Sequence, residues 1–313
     1  MSRAITFPGQ GSQAVGMGQS LAEASATARE VFEEVDDALN QKLTKIMFEG
    51  PEEDLILTEN AQPALMAVSI AVLRVLERDG GFSLADKAAF VAGHSLGEYS
   101  ALAAAGSLSL GDTARLLKKR GQAMQRAVPV GQGAMAAVLG LSFEEAEAVA
   151  AEASQGEVCG AANDNAQGQV VLSGARGAIE RAIEIAKEKG AKRSMLLPVS
   201  APFHCALMAP AAEVMAEALA DVAFNAPVLP VVTNITASAE TDPDRLRELL
   251  VEQITGRVRW RESVEYLVGQ GVGELIELGA GKVLTGLARR INRDLAATSV
   301  QSPDDIEALL KSL

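Results

Sequence analysis

Aromatic side chains are scarce in this chain of 313 residues, at 4% of the total, and Trp260 is the only tryptophan. Any core must therefore be filled by aliphatic side chains and alanine. Cysteines number two, Cys159 and Cys205, too few for a disulfide framework and without metal-ligand spacing. Basic residues are outnumbered 28 to 41, and a net charge of −13 argues against nucleic acid as a partner, which needs a dominant basic face. Local cations can still hold an anionic ligand, because charges beyond about 8 Å are screened at physiological ionic strength. Long apolar runs are missing too. The greasiest stretch, Ala64 to Leu73, ends at Arg74 and is too short for a membrane span. The opening residues, Met1 to Pro8, carry no run that reads as a signal peptide. The expectation is a cytoplasmic protein with no membrane partner, no metal and no tightly bound cofactor.

What is present is a globule-forming composition, 48% hydrophobic, in a length that suits one large domain or a large-plus-small pair. Ala4-Ile5-Thr6-Phe7 reads as a short buried strand entering the glycine-rich loop Pro8-Gly9-Gln10-Gly11-Ser12-Gln13. Helical periodicity follows over 27–39 and 63–78, with Pro63 suited to a first helical turn. Ala88 to Ala92 reads as a second strand ending at Gly93-His94-Ser95-Leu96-Gly97, followed by helices over 98–105 and 110–125. From Gly133 to Leu197 the order is strand, helix, strand, strand, helix, strand, the ferredoxin-like arrangement in about 65 residues. After Pro198 come the loop Ser200-Ala201-Pro202-Phe203-His204, a helix to about Val222, a strand at 231–233, helices over 244–254 and 260–269, and a strand at 274–278. Alternating strands and helices predict an α/β fold: a large α/β-hydrolase-like domain with a mainly parallel sheet (residues 1–127 and 199–313), interrupted by a ferredoxin-like small subdomain (128–198).

Gly93-His94-Ser95-Leu96-Gly97 fits the nucleophile-elbow pattern G-x-S-x-G between a strand and a helix. The glycines relieve the crowding of a tight turn, which lifts the serine hydroxyl above the sheet. The Leu96 N–H then faces a developing oxyanion, and the helix brings its positive end near that charge. A plain Gly-Ser-Gly turn with Ser95 as a helix cap would give the same letters without the chemistry. A serine nucleophile needs a base, and the chain offers two histidines. His94 adjoins Ser95, and neighbours on a sharp turn point apart, which leaves His204. Cys205 reads as a small buried hydrophobe beside that base. Arg120 ends the run Lys118-Lys119-Arg120; successive helical side chains fan out by about 100°, so it need not share the exposure of the other two.

Two motifs mislead. Gly9-Gln10-Gly11-Ser12-Gln13-Ala14 matches the dinucleotide fingerprint, but the acidic residues that should close a second strand, Glu30 to Asp37, lie in a helical stretch. The same open backbone can instead supply a second oxyanion donor from the Gln10 N–H. Gly279-Ala280-Gly281-Lys282 lacks the spacer and the Ser/Thr of a phosphate loop.

Taken together these segments resemble the malonyl-CoA:acyl-carrier-protein transacylase family of fatty-acid synthesis. The resemblance runs over nearly the whole chain. It rests on Phe7 to Gln13, Gly93 to Tyr99, Lys119-Arg120-Gly121, Ser200 to His204 and Gly279 to Leu284, in order and at the family's spacing. It implies that Ser95 carries a malonyl ester, that His204 is general base and then acid, and that a Gln253 carbonyl orients the histidine. It also implies that Arg120 grips the malonyl carboxylate and that the small subdomain forms the other wall of the cleft. Malonyl-CoA would be the substrate and acyl carrier protein the acceptor. Family members taking branched units tend to carry a smaller residue where Phe203 stands, so Phe203 favours malonyl, with an acyltransferase of acetyl or methylmalonyl specificity as an alternative. A serine esterase or thioesterase of α/β-hydrolase type is the competing reading. There the histidine comes last, whereas more than a hundred residues follow His204 and none is histidine. A non-catalytic scaffold would be expected to have a broken dyad.

Overall fold

The computed structural model describes residues 2–313; Met1, assigned to the large domain by sequence, lies outside the described residues. Its strands are β1 (Ser2–Phe7), β2 (Phe90–Gly93), β3 (Gly133–Leu139), β4 (Cys159–Ala166), β5 (Gln169–Ala175), β6 (Arg193–Leu196), β7 (Val231–Val232), β8 (Ala239–Glu240), β9 (Val272–Leu278) and β10 (Ala296–Val300). Six of them form one sheet in the order β10-β9-β1-β2-β7-β8, parallel throughout except for β8 at one edge. The α/β class and the mainly parallel sheet expected from the alternation are both found. Ala4, Ile5, Thr6 and Phe7 are all fully buried, as a central parallel strand covered on both faces requires.

The other four strands form a second sheet, β4-β5-β3-β6, antiparallel throughout, with the helices Phe143–Ser154 and Arg176–Glu188 packed against it. Side chains alternate across this sheet with the period of two that a strand imposes. Ala134, Ala136 and Val138 enter a core shared with those two helices, whereas Met135 joins the main core beneath the larger sheet. The small sheet is thus fastened by its second face to the rest of the molecule. Trp260, fully buried, anchors a further cluster on the opposite side of the large sheet.

One helix starts earlier than its periodicity suggests. The helix Thr58–Arg78 holds Pro63 in its sixth position, not its first turn. Tertiary packing forms the extra turn ahead of the proline: Thr58, Asn60, Ala61 and Gln62 are buried, and Asn60 donates to the Asp54 carbonyl at 2.8 Å. Gly121 faces this turn across a close helix crossing. A Cβ there would stand 2.5 Å from Glu59 Cα, so only glycine admits the approach. That crossing brings Gln62 and Arg120 together.

Candidate active site

The β1 and β2 strands lie side by side with Phe7 opposite Gly93, so the loop after one and the turn after the other emerge together at their carboxyl ends. In open parallel sheets that edge is where ligands bind. His94 N–H donates to the Phe7 carbonyl at 3.1 Å, pinning the turn to the loop. Ser95 sits at φ 53°, a region costly for a residue with a side chain, and the helix Leu96–Ala104 starts directly after it. Both flanking glycines are sterically required. A Cβ on Gly93 would lie 1.9 Å from the Gly97 carbonyl carbon, and one on Gly97 would lie 2.2 Å from the Phe7 oxygen. Asn234, just after β7, braces the turn: its Oδ1 accepts from Ser95 N–H at 2.7 Å and its Nδ2 donates to the Gly93 carbonyl at 2.7 Å.

Ser95 and His204, separated by 109 positions in sequence, meet here. The Ser95 hydroxyl lies 2.8 Å from His204 Nε2. His204 itself adopts φ 57° and is buried. Its Nδ1 faces two carbonyls, Gln253 at 2.9 Å and Gly256 at 3.1 Å. Two acceptors at Nδ1 require a proton there, which leaves the Nε2 lone pair free to accept from the serine hydroxyl. Gln253 is where the resemblance put the orienting carbonyl. Gly256, in the loop beyond the same helix, carried no signal in the sequence.

Arg120 is fully buried while Lys119 is exposed and Lys118 is partly so, as the fanning of successive helical side chains allows. Its guanidinium donates to Gln62 Oε1 and to Gln253 Oε1, both at 2.8 Å, and to Ser95 Oγ at 3.1 Å. It also lies 5.5 Å from the Tyr99 ring centroid. The site therefore holds a buried cation beside the serine with no carboxylate, among the described residues, as a hydrogen-bond partner. Gln10 reaches the same region by its side chain, which donates to Thr58 Oγ1 at 3.3 Å. A Cβ on the preceding Gly9 would meet the His94 carbonyl oxygen at 2.8 Å, so this loop lies against the elbow. Leu96 N–H is the first of its helix and has no intrahelical acceptor. Phe203, next to the histidine, packs into the main core. His94 points away from Ser95, and its Nε2 lies 2.8 Å from Asn165 Oδ1 on β4, bridging the two sheets.

Sequence reasoning missed Gln62, Glu98, Asn165 and Asn234. Gln62 lies in the turn hidden behind Pro63, and Asn165 and Asn234 follow no pattern. Glu98 stands beside the elbow motif and was legible as an acid in the first helical turn.

Burial, reinforced by the Arg120 charge, pushes the His204 imidazole down to about 3. Burial also holds His94 below its ordinary 6.5, against the opposing effect of Asn165. His204 is therefore neutral in the folded chain across the physiological range. NMR of the imidazole carbons, assigned with His204→Asn, should show that the His204 ring does not titrate between pH 8 and pH 5.5 and that the His94 ring titrates below its ordinary value. A midpoint near 6.5 for either would refute this electrostatic picture. The unfolded chain takes up those protons at 6.5, so the two histidines lower folding stability as pH falls through that value.

A serine on a strained strand-to-helix turn thus has a neutral imidazole and a buried cation within hydrogen-bond distance of its hydroxyl. The family model for the acyl transferase domain matches residues 5–298. Over 308 residues the chain is 46% identical to the malonyl CoA-acyl carrier protein transacylase of Escherichia coli K12, covering 98% of each. It is also similar to the crystal structure of acyl-carrier-protein-S-malonyltransferase from Bartonella henselae, with a TM-score of 0.98 and 57% identity, covering 100% of this chain and 99% of that one. A type II PKS malonyl-transacylase, solved in complex with its acyl-carrier protein, superposes with a TM-score of 0.97 at 42% identity, both chains fully covered. The chain belongs to the malonyl CoA-acyl carrier protein transacylase family.

Proposed function

We propose that this enzyme transfers the malonyl group from malonyl-CoA to the phosphopantetheine thiol of acyl carrier protein through a malonyl ester on Ser95. The observation that carries the reading is the buried Arg120 guanidinium 3.1 Å from the Ser95 oxygen that His204 can deprotonate. His204 Nε2 takes the hydroxyl proton as Ser95 Oγ attacks the thioester carbonyl. The Leu96 and Gln10 N–H groups receive the charge that develops on the carbonyl oxygen. The tetrahedral intermediate expels the CoA thiolate, which takes its proton from His204. The carrier thiol then repeats the steps in reverse, giving its proton to His204 and regenerating Ser95. A carbonyl partner fixes the imidazole tautomer but stabilises its cation less than a carboxylate would. That suits a transfer between two thiols, whose leaving groups need less help than an amine.

The fold reading that accompanies this is an α/β-hydrolase-like domain with a ferredoxin-like subdomain over 128–198. The antiparallel order β4-β5-β3-β6 with both helices on one face supports it. The subdomain provides the second wall of the cleft, consistent with the His94–Asn165 bridge. Phe203 narrows the acyl pocket against branched units. Malonyl-CoA enters as substrate, with no bound cofactor, and Cys159 and Cys205, both unpaired, fit a cytoplasmic setting.

Incubation with malonyl-CoA and intact-mass analysis tests the reading. One malonyl mass should appear on the peptide containing Ser95, and it should leave when holo acyl carrier protein is added. Rapid loss of the adduct to water alone, without a thiol, would favour the esterase reading instead.

A further inference from the structure

Glu98 takes no part in the chemistry just described, yet it is buried in the middle of the site, 1% exposed. Burial pushes its carboxyl up to about 7, against the pull of Asn234, Gln253 and Arg120. Residues of the first turn after an elbow do not need to be acidic for the turn to form, since the glycines and Asn234 already hold it. The bonds that Glu98 makes account for it better. Its Oε2 accepts from Asn234 N–H at 2.9 Å and from Gln253 Nε2 at 2.9 Å.

The second of these bonds decides which way the Gln253 amide faces. Its NH2 group has two acceptors on one side, Glu98 Oε2 and the Ser95 carbonyl at 3.0 Å. Its oxygen is thereby turned to the other side, where Arg120 Nη2 donates to it at 2.8 Å. Reversing the amide would set NH2 against guanidinium and oxygen against both the carboxylate and the Ser95 carbonyl, three repulsive contacts in place of three bonds. The same Arg120 nitrogen lies 3.1 Å from Ser95 Oγ. A chain of contacts thus runs from Glu98 through Gln253 to the cation beside the nucleophile.

We propose that Glu98 is a positioning residue: by fixing the Gln253 amide it aims Arg120 into the acyl pocket and so sets the preference for a carboxylated acyl group. The proposal rests on the reading of Arg120 as the malonyl grip. Both bonds of Glu98 use one oxygen, so a glutamine at 98 can keep them and a leucine cannot.

The test measures kcat/KM for malonyl-CoA and for acetyl-CoA in the intact enzyme, Glu98→Leu, Glu98→Gln and Arg120→Ala, each normalised to the fraction that can be acylated. Glu98→Leu should lower the malonyl-to-acetyl ratio at least tenfold, the scale of losing one hydrogen bond to a charged group. Glu98→Gln should keep the ratio within about threefold, because the acceptor oxygen remains. A residue that merely supports the fold would slow both acyl groups together and leave the ratio alone. An unchanged ratio in Glu98→Leu, beside a collapsed ratio in Arg120→Ala, overturns the proposal; so does a collapse in Glu98→Gln equal to that in Glu98→Leu. An unchanged ratio in Arg120→Ala instead overturns the reading beneath it. If Glu98→Leu does not fold, Gln253→Met serves in its place, since it deletes the amide but keeps the backbone carbonyl that holds His204. It must shift the ratio in the same direction, and a ratio equal to the parent's sinks the idea.

Discussion

Ser95→Ala should abolish covalent loading by malonyl-CoA and reduce transfer to the carrier by as much as about 10⁶-fold, the loss seen when a serine nucleophile working as a unit with its base is deleted. The geometry gives the reason: among the described residues the only hydroxyl held 2.8 Å from His204 Nε2 is that of Ser95. His204→Ala should lose nearly as much, because the Ser95 hydroxyl would have no acceptor for its proton beside a cation that offers none. The double variant should be little worse than either single one, since the two residues act as one device. Stopped-flow measurement of CoA release, with intact-mass detection of the adduct, checks all three. A Ser95→Ala enzyme still acylated at Cys205, or losses that multiply in the double variant, would show that the dyad is misassigned. Acylation at Cys205 is opposed by burial, which raises its thiol above the ordinary range and leaves little thiolate.

How much of this was legible beforehand depended on whether a residue's role is local. The elbow was readable because its chemistry is its covalent geometry: strand, two glycines, serine and helix lie within a dozen residues, and the steric demand on Gly93 and Gly97 is met within that span and the neighbouring strand. His204 was reachable by elimination, since the chain has two histidines and one adjoins the serine. The bonds that make the site work are not local. Gln253, Asn234 and Gln62 are amides brought in from three separate elements. An amide in a sequence says nothing about which of its ends is needed. The same holds for the fold. The succession of strands and helices along the small sheet was readable from its periodicity, while β10 escaped notice because Ala-Ala-Thr-Ser-Val lies at an edge, half exposed, with little apolar patterning. The first turn of the helix Thr58–Arg78 was hidden by Pro63, a residue that ordinarily marks a start, and packing against Gly121 overrode that preference.

Arg120→Ala should reverse the acyl preference. The guanidinium already spends donors on Gln62 and Gln253, and Nη2 is shared between Gln253 and Ser95, so it is held in place before any substrate arrives. A malonyl carboxylate entering beside Ser95 gives this buried cation the anionic partner that its hydrogen-bond set lacks. Two parallel bonds from one planar fork suit a carboxylate in a way that lysine cannot copy. Acetyl-CoA brings no such group and leaves the cation unpaired in a narrowed pocket. Leaving one member of a buried charge pair alone costs roughly 2–5 kcal/mol. At 1.36 kcal/mol per tenfold, this corresponds to roughly 30-fold to a few thousand-fold discrimination in kcat/KM. The alanine variant should thus lose most malonyl transfer while acetyl transfer is kept or rises, because the unpaired charge has gone. Arg120→Lys should fall between, with the charge retained and the fork lost. Removing the guanidinium also removes the neighbouring charge that lowers the His204 imidazole, so its protonation should move upward in the alanine variant. An NMR titration reads that movement independently of turnover. Equal slowing of both acyl groups, with no movement of the imidazole, would make Arg120 a support for Gln62 and Gln253 and remove it from substrate recognition.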